Sequence, residues 1–282
     1  MVPVVAWCRG VVPTKDSGPM KIPFFQLDAF AARVFTGNPA SVCPLEEWLD
    51  DATMQAIAAE NNLSETAFFV AQGEQFRLRW FTPTMEVDLC GHATLAAAWV
   101  IFHEFDWSLD TLDFATNSGI LTVTRDDEGD RLAMDFPARP AGPATGADAV
   151  AEALGARPAE LLASRDAMAV FASAGEVARL RPDFARIAAL DHFAVIATAP
   201  GGEAGCDFVS RFFAPKAGID EDPVTGSAHC TLVPYWSRRL GRSRLFARQI
   251  SARGGELWCE DKGARVGIAG RCVPVIEGVI RL

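Results

Sequence analysis

The stretch Arg79-Trp-Phe-Thr-Pro83, followed by Cys90-Gly-His-Ala-Thr94, has a second copy in Arg211-Phe-Phe-Ala-Pro215, followed by Thr225-Gly-Ser-Ala-His229. The arginines that open the two copies lie 132 positions apart (211 − 79). In each copy an acidic loop leads to a glycine and to the start of a helix rich in small residues. This repetition predicts a duplication of domains, with one glycine-headed helix in each half of the chain.

The two helix starts predict the kind of ligand. Free N–H groups and the helix dipole make the N-terminus of a helix a favourable place for an anion. We expect the helices that begin at Gly91 and at Gly226 to point their N-terminal ends into one cleft between the two lobes. Such a cleft suits a small carboxylate substrate, with chemistry in its middle.

The composition excludes several classes of partner. The chain has 282 residues, of which 50% are hydrophobic, and carries 26 basic against 36 acidic side chains, a net charge of −10. This acidic balance argues against nucleic acid and against an anionic membrane as the main partner. No apolar run approaches the roughly 18–20 residues of a membrane span. Seven cysteines without a Cys-x-x-Cys pair predict reduced, mostly buried thiols and a cytoplasmic location.

The first nineteen residues differ from the rest. Residues 1–19 hold three prolines and show no periodicity, and Pro3 and Arg9 interrupt any apolar core of a signal peptide. We expect a leader outside the fold, followed by lobes at 20–137 and 138–282. The boundary rests on the Pro- and Gly-rich stretch 137–143.

The helix that starts at Gly91 is apolar all round as far as Phe102, so it must be buried on nearly every side. Alternating apolar and polar residues around it predict antiparallel strands. The predicted class is α+β, with two similar lobes related by a pseudo-twofold duplication. Each lobe is a mostly antiparallel sheet wrapped around a buried central helix, and the last strand is free to return to the first lobe.

Glu65 is the first candidate for chemistry. It follows a predicted helix end and precedes the apolar strand Ala67–Val70. A carboxyl group beside such residues can have a raised pKa and move protons near neutral pH. A solvated turn residue is the alternative, and the sequence leaves both open.

His92 and Asp222 are the next candidates, one beside each predicted helix start. We expect His92 to stay neutral, because the positive end of the helix dipole disfavours an imidazolium, and to act as a donor or acceptor. Asp222 lies in the tight loop 220–226. The alternatives are a core histidine bonded to a backbone carbonyl and an acid that merely complements the dipole.

Cys90 raises the alternative of a racemase, because a thiol at a helix N-terminus can become a thiolate. A racemase with two thiol bases needs a second cysteine in the loop 222–226, which has none. His103, His192 and His229 show no ligand spacing, so they are interpreted as structural and no metal is expected. The sequence lacks a serine-hydrolase elbow and glycine-rich nucleotide motifs, and no cofactor is expected.

Seven stretches together resemble the PhzF-type isomerases of phenazine biosynthesis over about residues 20–282. They are Phe25-Gln-Leu-Asp-Ala-Phe30, Phe35-Thr-Gly-Asn-Pro39, Asn62-Leu-Ser-Glu-Thr66, Trp80-Phe-Thr-Pro83, Cys90-Gly-His-Ala-Thr94, Arg211-Phe-Phe-Ala-Pro215 and Glu221-Asp-Pro-Val-Thr-Gly-Ser-Ala-His229. The resemblance implies a diaminopimelate-epimerase-like fold and a cofactor-independent isomerase that forms a homodimer.

The resemblance also implies roles for individual residues. Glu65 is similar to the family's acid/base, and Gly91, His92, Asp222 and Ser227 are similar to the groups that hold the substrate and assist the proton transfer. The best-known family substrate is dihydro-hydroxyanthranilate, but the helix from Ala228 resembles a broader branch with unassigned substrates. An amino-acid epimerase that uses Cys90 and a non-catalytic binding protein stay as alternatives.

Overall fold

The computed structural model describes residues 20–73, 75–105, 107–126 and 130–282. The expected leader at 1–19 lies outside the described residues. The chain divides into two compact units. Unit 1 contains the described residues up to Phe35, Pro39–Met134 and Gly270–Leu282, and unit 2 contains Thr36–Asn38 and Asp135–Ala269.

Unit 1 is built from nine strands and two helices among its described residues. In chain order they are β1 (Lys21–Ala29), β2 (Asn38–Leu45), α1 (Asp51–Asn61), β3 (Glu65–Gln72), β4 (Gln75–Phe81), β5 (Glu86–Val87), α2 (Gly91–Glu104), β6 (Thr111–Thr116), β7 (Gly119–Arg125), β8 (Leu132–Pro137) and, from the end of the chain, β18 (Cys272–Arg281). The first residue of β2 and the last three of β8 belong to unit 2.

The strands of unit 1 follow the order β18, β1, β2, β3, β4, β6, β7, β8, with the short β5 beside one end of β4. Only two of the pairings with a recorded direction are parallel, β2 with β3 and β4 with β6. Parallel neighbours need a crossover connection, and α1 and α2 are those crossovers. The other pairings of known direction in the unit are antiparallel, as the alternating sequence predicts.

Helix α2 is the buried centre of unit 1. Ten of its fourteen residues are buried, from His92 to Phe102, and it contacts β1, β3 and β18. A helix that is apolar on every side gains most when strands cover it all round. The prediction of a buried central helix is therefore confirmed for this unit.

Unit 2 repeats this construction with other residues. Its elements are β9 (Gly142–Pro143), α3 (Ala147–Leu154), β10 (Glu160–Ala163), β11 (Ala167–Val170), α4 (Ala174–Arg179), α5 (Phe184–Ala189), β12 (Val195–Pro200), β13 (Phe208–Ala214), β14 (Ile219–Asp222), α6 (Gly226–Leu240), β15 (Arg244–Gln249), β16 (Gly255–Asp261) and β17 (Arg265–Gly270), with short 3₁₀ turns at Gly202–Ala204 and Pro215–Ala217.

The strand order in unit 2 is β9, β10, β11, β12, β13, β15, β16, β17, with the short β14 beside β13. The parallel pairs are again the third with the fourth strand and the fifth with the sixth. Helix α6 is the crossover that corresponds to α2, and it contacts β15 and β16. The two units thus share one topology, and the predicted duplication is confirmed.

The repeated arginine motif has the same role in each unit. Arg79 on β4 places Nε and Nη2 each 2.7 Å from a carboxylate oxygen of Glu86 on β5. Arg211 on β13 binds Glu221 on β14 in the same way, at 2.7 and 2.8 Å. Each guanidinium also lies over the aromatic ring two residues further along its strand. In each unit the arginine of the repeated motif therefore binds the short strand that precedes the central helix.

The sequence analysis missed several short elements of unit 2, among them β10, α4 and α5. Helix α4 has a recognisable capping signal, because Ser173 accepts a hydrogen bond from the Glu176 backbone N–H. Asp183 caps α5 in the same manner. Their six-residue length leaves too few turns for a periodic apolar pattern.

Among the described residues, no helix is long and apolar enough to cross a membrane.

A close contact locks the start of β18 onto the end of β1. Phe30 is fully buried and has a left-handed backbone, with φ 56°. A Cβ atom on Gly270 would lie 3.0 Å from Cε1 of the Phe30 ring and closer still to Cδ1. Only glycine fits here, because the buried ring has no free space into which it can move.

We expect Gly270→Ala to destabilise the protein by about 1–3 kcal/mol, the usual cost of overpacking a core. Urea unfolding measures the change. The matched control is Gly278→Ala on β18, where an added Cβ meets nothing within 4 Å. A Gly270→Ala protein as stable as the control protein would show that the Phe30 ring yields easily.

Candidate active site

Glu65 is the first residue of β3, directly after the turn that follows α1. The turn is tight because Asn62, the C-cap of α1, has a left-handed backbone with φ 49°. The Asn61 side chain donates a 3.0 Å hydrogen bond to the Thr66 hydroxyl, which ties the helix end to the strand. Glu65 pairs with Ala40 of the parallel strand β2. Its side chain is only 14% exposed, so it is not a solvated turn residue.

Cys90 and His92 flank the first residue of α2. Cys90 is the N-cap, and its side chain makes no capping hydrogen bond. The Thr94 hydroxyl instead donates back to the Cys90 carbonyl and closes the first turn. Both Cys90 and His92 are 6% exposed. The start of α2 therefore places a thiol and an imidazole in a buried position.

The fold brings Glu65, Cys90 and His92 together. Nε2 of His92 lies 3.1 Å from Oε2 of Glu65, and Nδ1 of the same ring lies 3.5 Å from Sγ of Cys90. The imidazole thus stands between the carboxylate and the thiol, with one ring nitrogen facing each. This cluster is a constellation of acid/base groups of the kind found in active sites.

The expectation that His92 stays neutral considers only the helix dipole, and it stays a prediction. Burial by itself lowers the pKa of His92, but negative charge at Cys90 and Glu65 and hydrogen bonds to both outweigh it and raise the pKa well above 6.5. The helix-dipole argument omitted these two neighbours, which act on the pKa of His92 in the opposite direction to the dipole.

A position at a helix N-terminus alone suggests a lowered thiol pKa, but the pKa of Cys90 is raised. Burial raises the pKa of its thiol to about 11, and the negative charge of Glu65 adds to the rise, while His92 opposes it. Cys90 is therefore a neutral thiol near pH 7. While the thiol is protonated, the charge at Cys90 that contributes most to raising the pKa of His92 is absent, and Glu65 is the remaining negative neighbour.

The same three side chains present ligand atoms within 4.8 Å of one another. The spacing of ligands along the chain predicts no metal site, because Glu65 is 25 residues from Cys90 and no cysteine or histidine pair has a familiar interval. In the part of the chain that the structure describes, this cluster is the one such group. Sequence spacing misses it because a strand and a helix N-terminus meet only in the fold.

In unit 2 the loop from Asp222 to the start of α6 is held by side chains. Oδ1 of Asp222 accepts a 2.8 Å hydrogen bond from Nδ2 of Asn38, and Oδ2 accepts one from the Thr225 hydroxyl. Nδ2 of Asn38 also reaches the Val224 carbonyl at 2.9 Å. In these contacts Asp222 anchors the loop that leads to Gly226 and Ser227. A role for Asp222 in proton transfer stays a prediction.

Gln249 completes this network and was missed by the sequence analysis, as was Asn38. Gln249 accepts from the Thr225 backbone N–H at 2.9 Å and donates to the Asp222 carbonyl at 2.7 Å. Both side chains are buried and end in an amide group. Burial of an amide costs free energy unless it forms hydrogen bonds. Asn38 lies in one of the stretches that carry the family resemblance, but its contact with Asp222 has no local signal, because the two residues are 184 positions apart.

Two of the three remaining histidines make contacts that fit the structural interpretation, and the interpretation of His192 stays a prediction. His229 is fully buried, its Nδ1 lies 2.8 Å from the Thr225 carbonyl, and burial lowers its pKa to about 4. Nδ1 of His103 lies 2.8 Å from the Trp99 carbonyl, and its ring stacks on that indole. The substrate-binding roles of Gly91, Gly226 and Ser227 and the cleft between the lobes stay predictions.

Comparisons with known proteins identify the family. The family described as phenazine biosynthesis-like protein matches residues 27–278. An uncharacterized isomerase of Pseudomonas aeruginosa is 53% identical over 264 residues, which are 93% of this chain and 100% of that relative. The phenazine biosynthesis-like domain-containing protein of Homo sapiens is 40% identical over 288 residues, covering 93% of this chain and 99% of the human protein.

A solved structure is also similar. The crystal structure of a PhzF-family phenazine biosynthesis protein from Enterococcus faecalis superposes with a TM-score of 0.88 at 46% identity. The match covers 93% of this chain and 100% of that chain. The resemblance found in the sequence motifs is thereby confirmed over nearly the whole chain. The chain belongs to the phenazine biosynthesis-like (PhzF) family and is an isomerase.

Proposed function

We propose that this isomerase moves a proton on a small carboxylate-bearing compound without a cofactor, with Glu65 as the acid/base. The observation that carries the proposal is the buried Glu65–His92 pair at 3.1 Å. Oε2 of Glu65 faces the imidazole, so Oε1 is the oxygen that exchanges the proton with the substrate. His92 stabilises the carboxylate between the two transfers.

A comparison of the two units supports a single base. In unit 1 Thr66 pairs with Phe81, and in unit 2 Val195 pairs with Phe213, the matching residue of the repeated motif. Glu65 therefore corresponds to Ala194. In the same way Cys90 and His92 correspond to Thr225 and Ser227, because each pair flanks the first glycine of its helix.

The acid/base groups of this position are thus confined to unit 1. A racemase of the two-base type removes a proton on one face of the substrate and delivers another on the opposite face. A single base that takes up a proton and returns it to another atom of the same substrate performs an isomerisation instead. Ala194 occupies the position in unit 2 that is equivalent to Glu65, so a second carboxylate is missing there. This favours an isomerisation over a two-base racemisation.

The helix starts support a carboxylate on the substrate. Neither α2 nor α6 has a side-chain hydrogen bond at its N-cap residue, Cys90 or Thr225. The positive ends of the two helix dipoles favour a negatively charged acceptor for the backbone N–H groups of the first turns. We propose Gly91, Gly226 and Ser227 as binding residues on this ground.

The homodimer and the cytoplasmic location that the sequence suggests are carried forward as proposals.

Glu65→Gln keeps the shape of the side chain and removes the titrating group. In D₂O, we expect deuterium incorporation into a turned-over substrate, chosen from a panel of cyclic amino and hydroxy acids, to fall by about 10²–10⁴-fold. The matched control is Glu60→Gln, an exposed carboxylate at the end of α1. Unchanged incorporation in a folded Glu65→Gln protein would refute the role of Glu65.

Cys90→Ser separates the proposed reaction from the thiol alternative. Since Cys90 has a pKa of about 11, it is a poor base near pH 7, and we expect turnover to stay within about tenfold of the wild-type rate, below the usual acid/base contribution. Cys43→Ser, at another buried thiol, controls for packing. A loss of several orders of magnitude at Cys90 alone would place the chain among the thiol epimerases.

Substrate binding to the helix start can be tested with an acid and its methyl ester in a calorimeter. We expect the ester to bind about ten- to hundredfold more weakly, as fits the loss of charge-assisted hydrogen bonds. Ser227→Pro removes one N–H from the first turn of α6, where proline is tolerated, and reduces this preference. Ser227→Ala, which keeps the N–H, is the control. Equal affinities for acid and ester would contradict anion binding.

A further inference from the structure

The distance between the side chains of Cys90 and His92 fits two ligands of one metal ion. Sγ and Nδ1 are 3.5 Å apart, and both side chains are buried on the first turn of α2. A zinc ion binds sulfur at about 2.3 Å and imidazole nitrogen at about 2.0–2.1 Å with tetrahedral angles, which separates two such ligand atoms by about 3.5 Å. The two atoms therefore already have the separation that a shared cation requires.

The other nitrogen of the ring is held as in metal sites. A metal-binding histidine usually donates its second ring N–H to a carboxylate, which fixes the tautomer and the ring orientation. Nε2 of His92 lies 3.1 Å from Oε2 of Glu65. Glu65 thus keeps the hydrogen on Nε2 when Nδ1 offers its lone pair to a cation.

We propose that Cys90 and His92 bind one thiophilic divalent cation of the Zn²⁺ class through Sγ and Nδ1, with Glu65 positioning the imidazole. Coordination replaces the thiol proton and the proton on Nδ1, and both are released to solvent. Two protein ligands leave two positions of a tetrahedral ion for small ligands, so binding is weaker than in a structural site with four protein ligands.

This cation is an inhibitor of the proposed reaction and not a cofactor. It takes the imidazole that pairs with the Glu65 carboxylate, and it lies at the start of α2, where the substrate is expected. The rate of the isomerase would therefore fall as the concentration of free Zn²⁺ rises. The site itself is independent of the substrate and can be tested without one.

Co²⁺ replaces Zn²⁺ in such sites and reports its ligands by absorption. We expect the wild-type protein to bind one Co²⁺ per chain, with a thiolate-to-cobalt band in the near ultraviolet and tetrahedral bands in the visible, both lost on addition of Zn²⁺. Cys90→Ser loses the ultraviolet band, while Cys206→Ser, at a half-buried thiol in unit 2, keeps it. Circular dichroism verifies that each variant is folded.

Two variants of Glu65 separate a positioning role from direct ligation. Glu65→Gln still accepts the Nε2 hydrogen bond and keeps both the spectrum and the affinity for Co²⁺, whereas Glu65→Ala weakens binding by about 10–100-fold. Loss of the spectrum in Glu65→Gln would overturn the two-ligand assignment. Absence of the ultraviolet band in the wild-type protein, or its persistence in Cys90→Ser, would overturn the site.

Discussion

A bidentate ion pair fixes the short strand in front of each central helix, and the positions of the site residues depend on it. Both oxygens of Glu86 are held by Arg79, whose side chain is 20% exposed and covers the Phe81 ring. A guanidinium fork sets both distance and angle, which a lysine cannot do. Because β5 ends three residues before Cys90, this pair decides where α2 begins and where Cys90 and His92 lie.

The second unit uses the same frame for a different purpose. Arg211 holds Glu221 in the same fork, but the following loop is secured by the buried amides of Asn38 and Gln249. Three ionisable side chains therefore gather at the start of α2, whereas at the start of α6 buried amides hold the backbone and the single carboxylate of Asp222. Duplication supplied two equivalent helix starts, and substitution gave them different chemistry.

Much of the fold could be predicted because its signals are local. The all-apolar α2 and the copied arginine motif each lie within a few residues of sequence. The cluster at Glu65 was recognisable from the family resemblance, but the contact with His92 depends on how a parallel strand aligns with a helix. The neighbours that act on the pKa of His92 could not be predicted for the same reason, since the fold brings them to the ring. Asn38 could not be predicted, because its partner is remote in the chain.

The pairing of β1 with β18 has a consequence for biosynthesis. Lys21 is paired with Arg281, so a ribosome makes the whole of unit 2 between these two strands. Most of unit 2 is one continuous segment, whereas the sheet of unit 1 stays incomplete at β1 until β18 has emerged. During translation β1 offers an open edge of backbone donors and acceptors for many seconds, at the usual rates of about 5–20 residues per second. The nascent chain is therefore most exposed to mispairing in the unit that carries the acid/base groups.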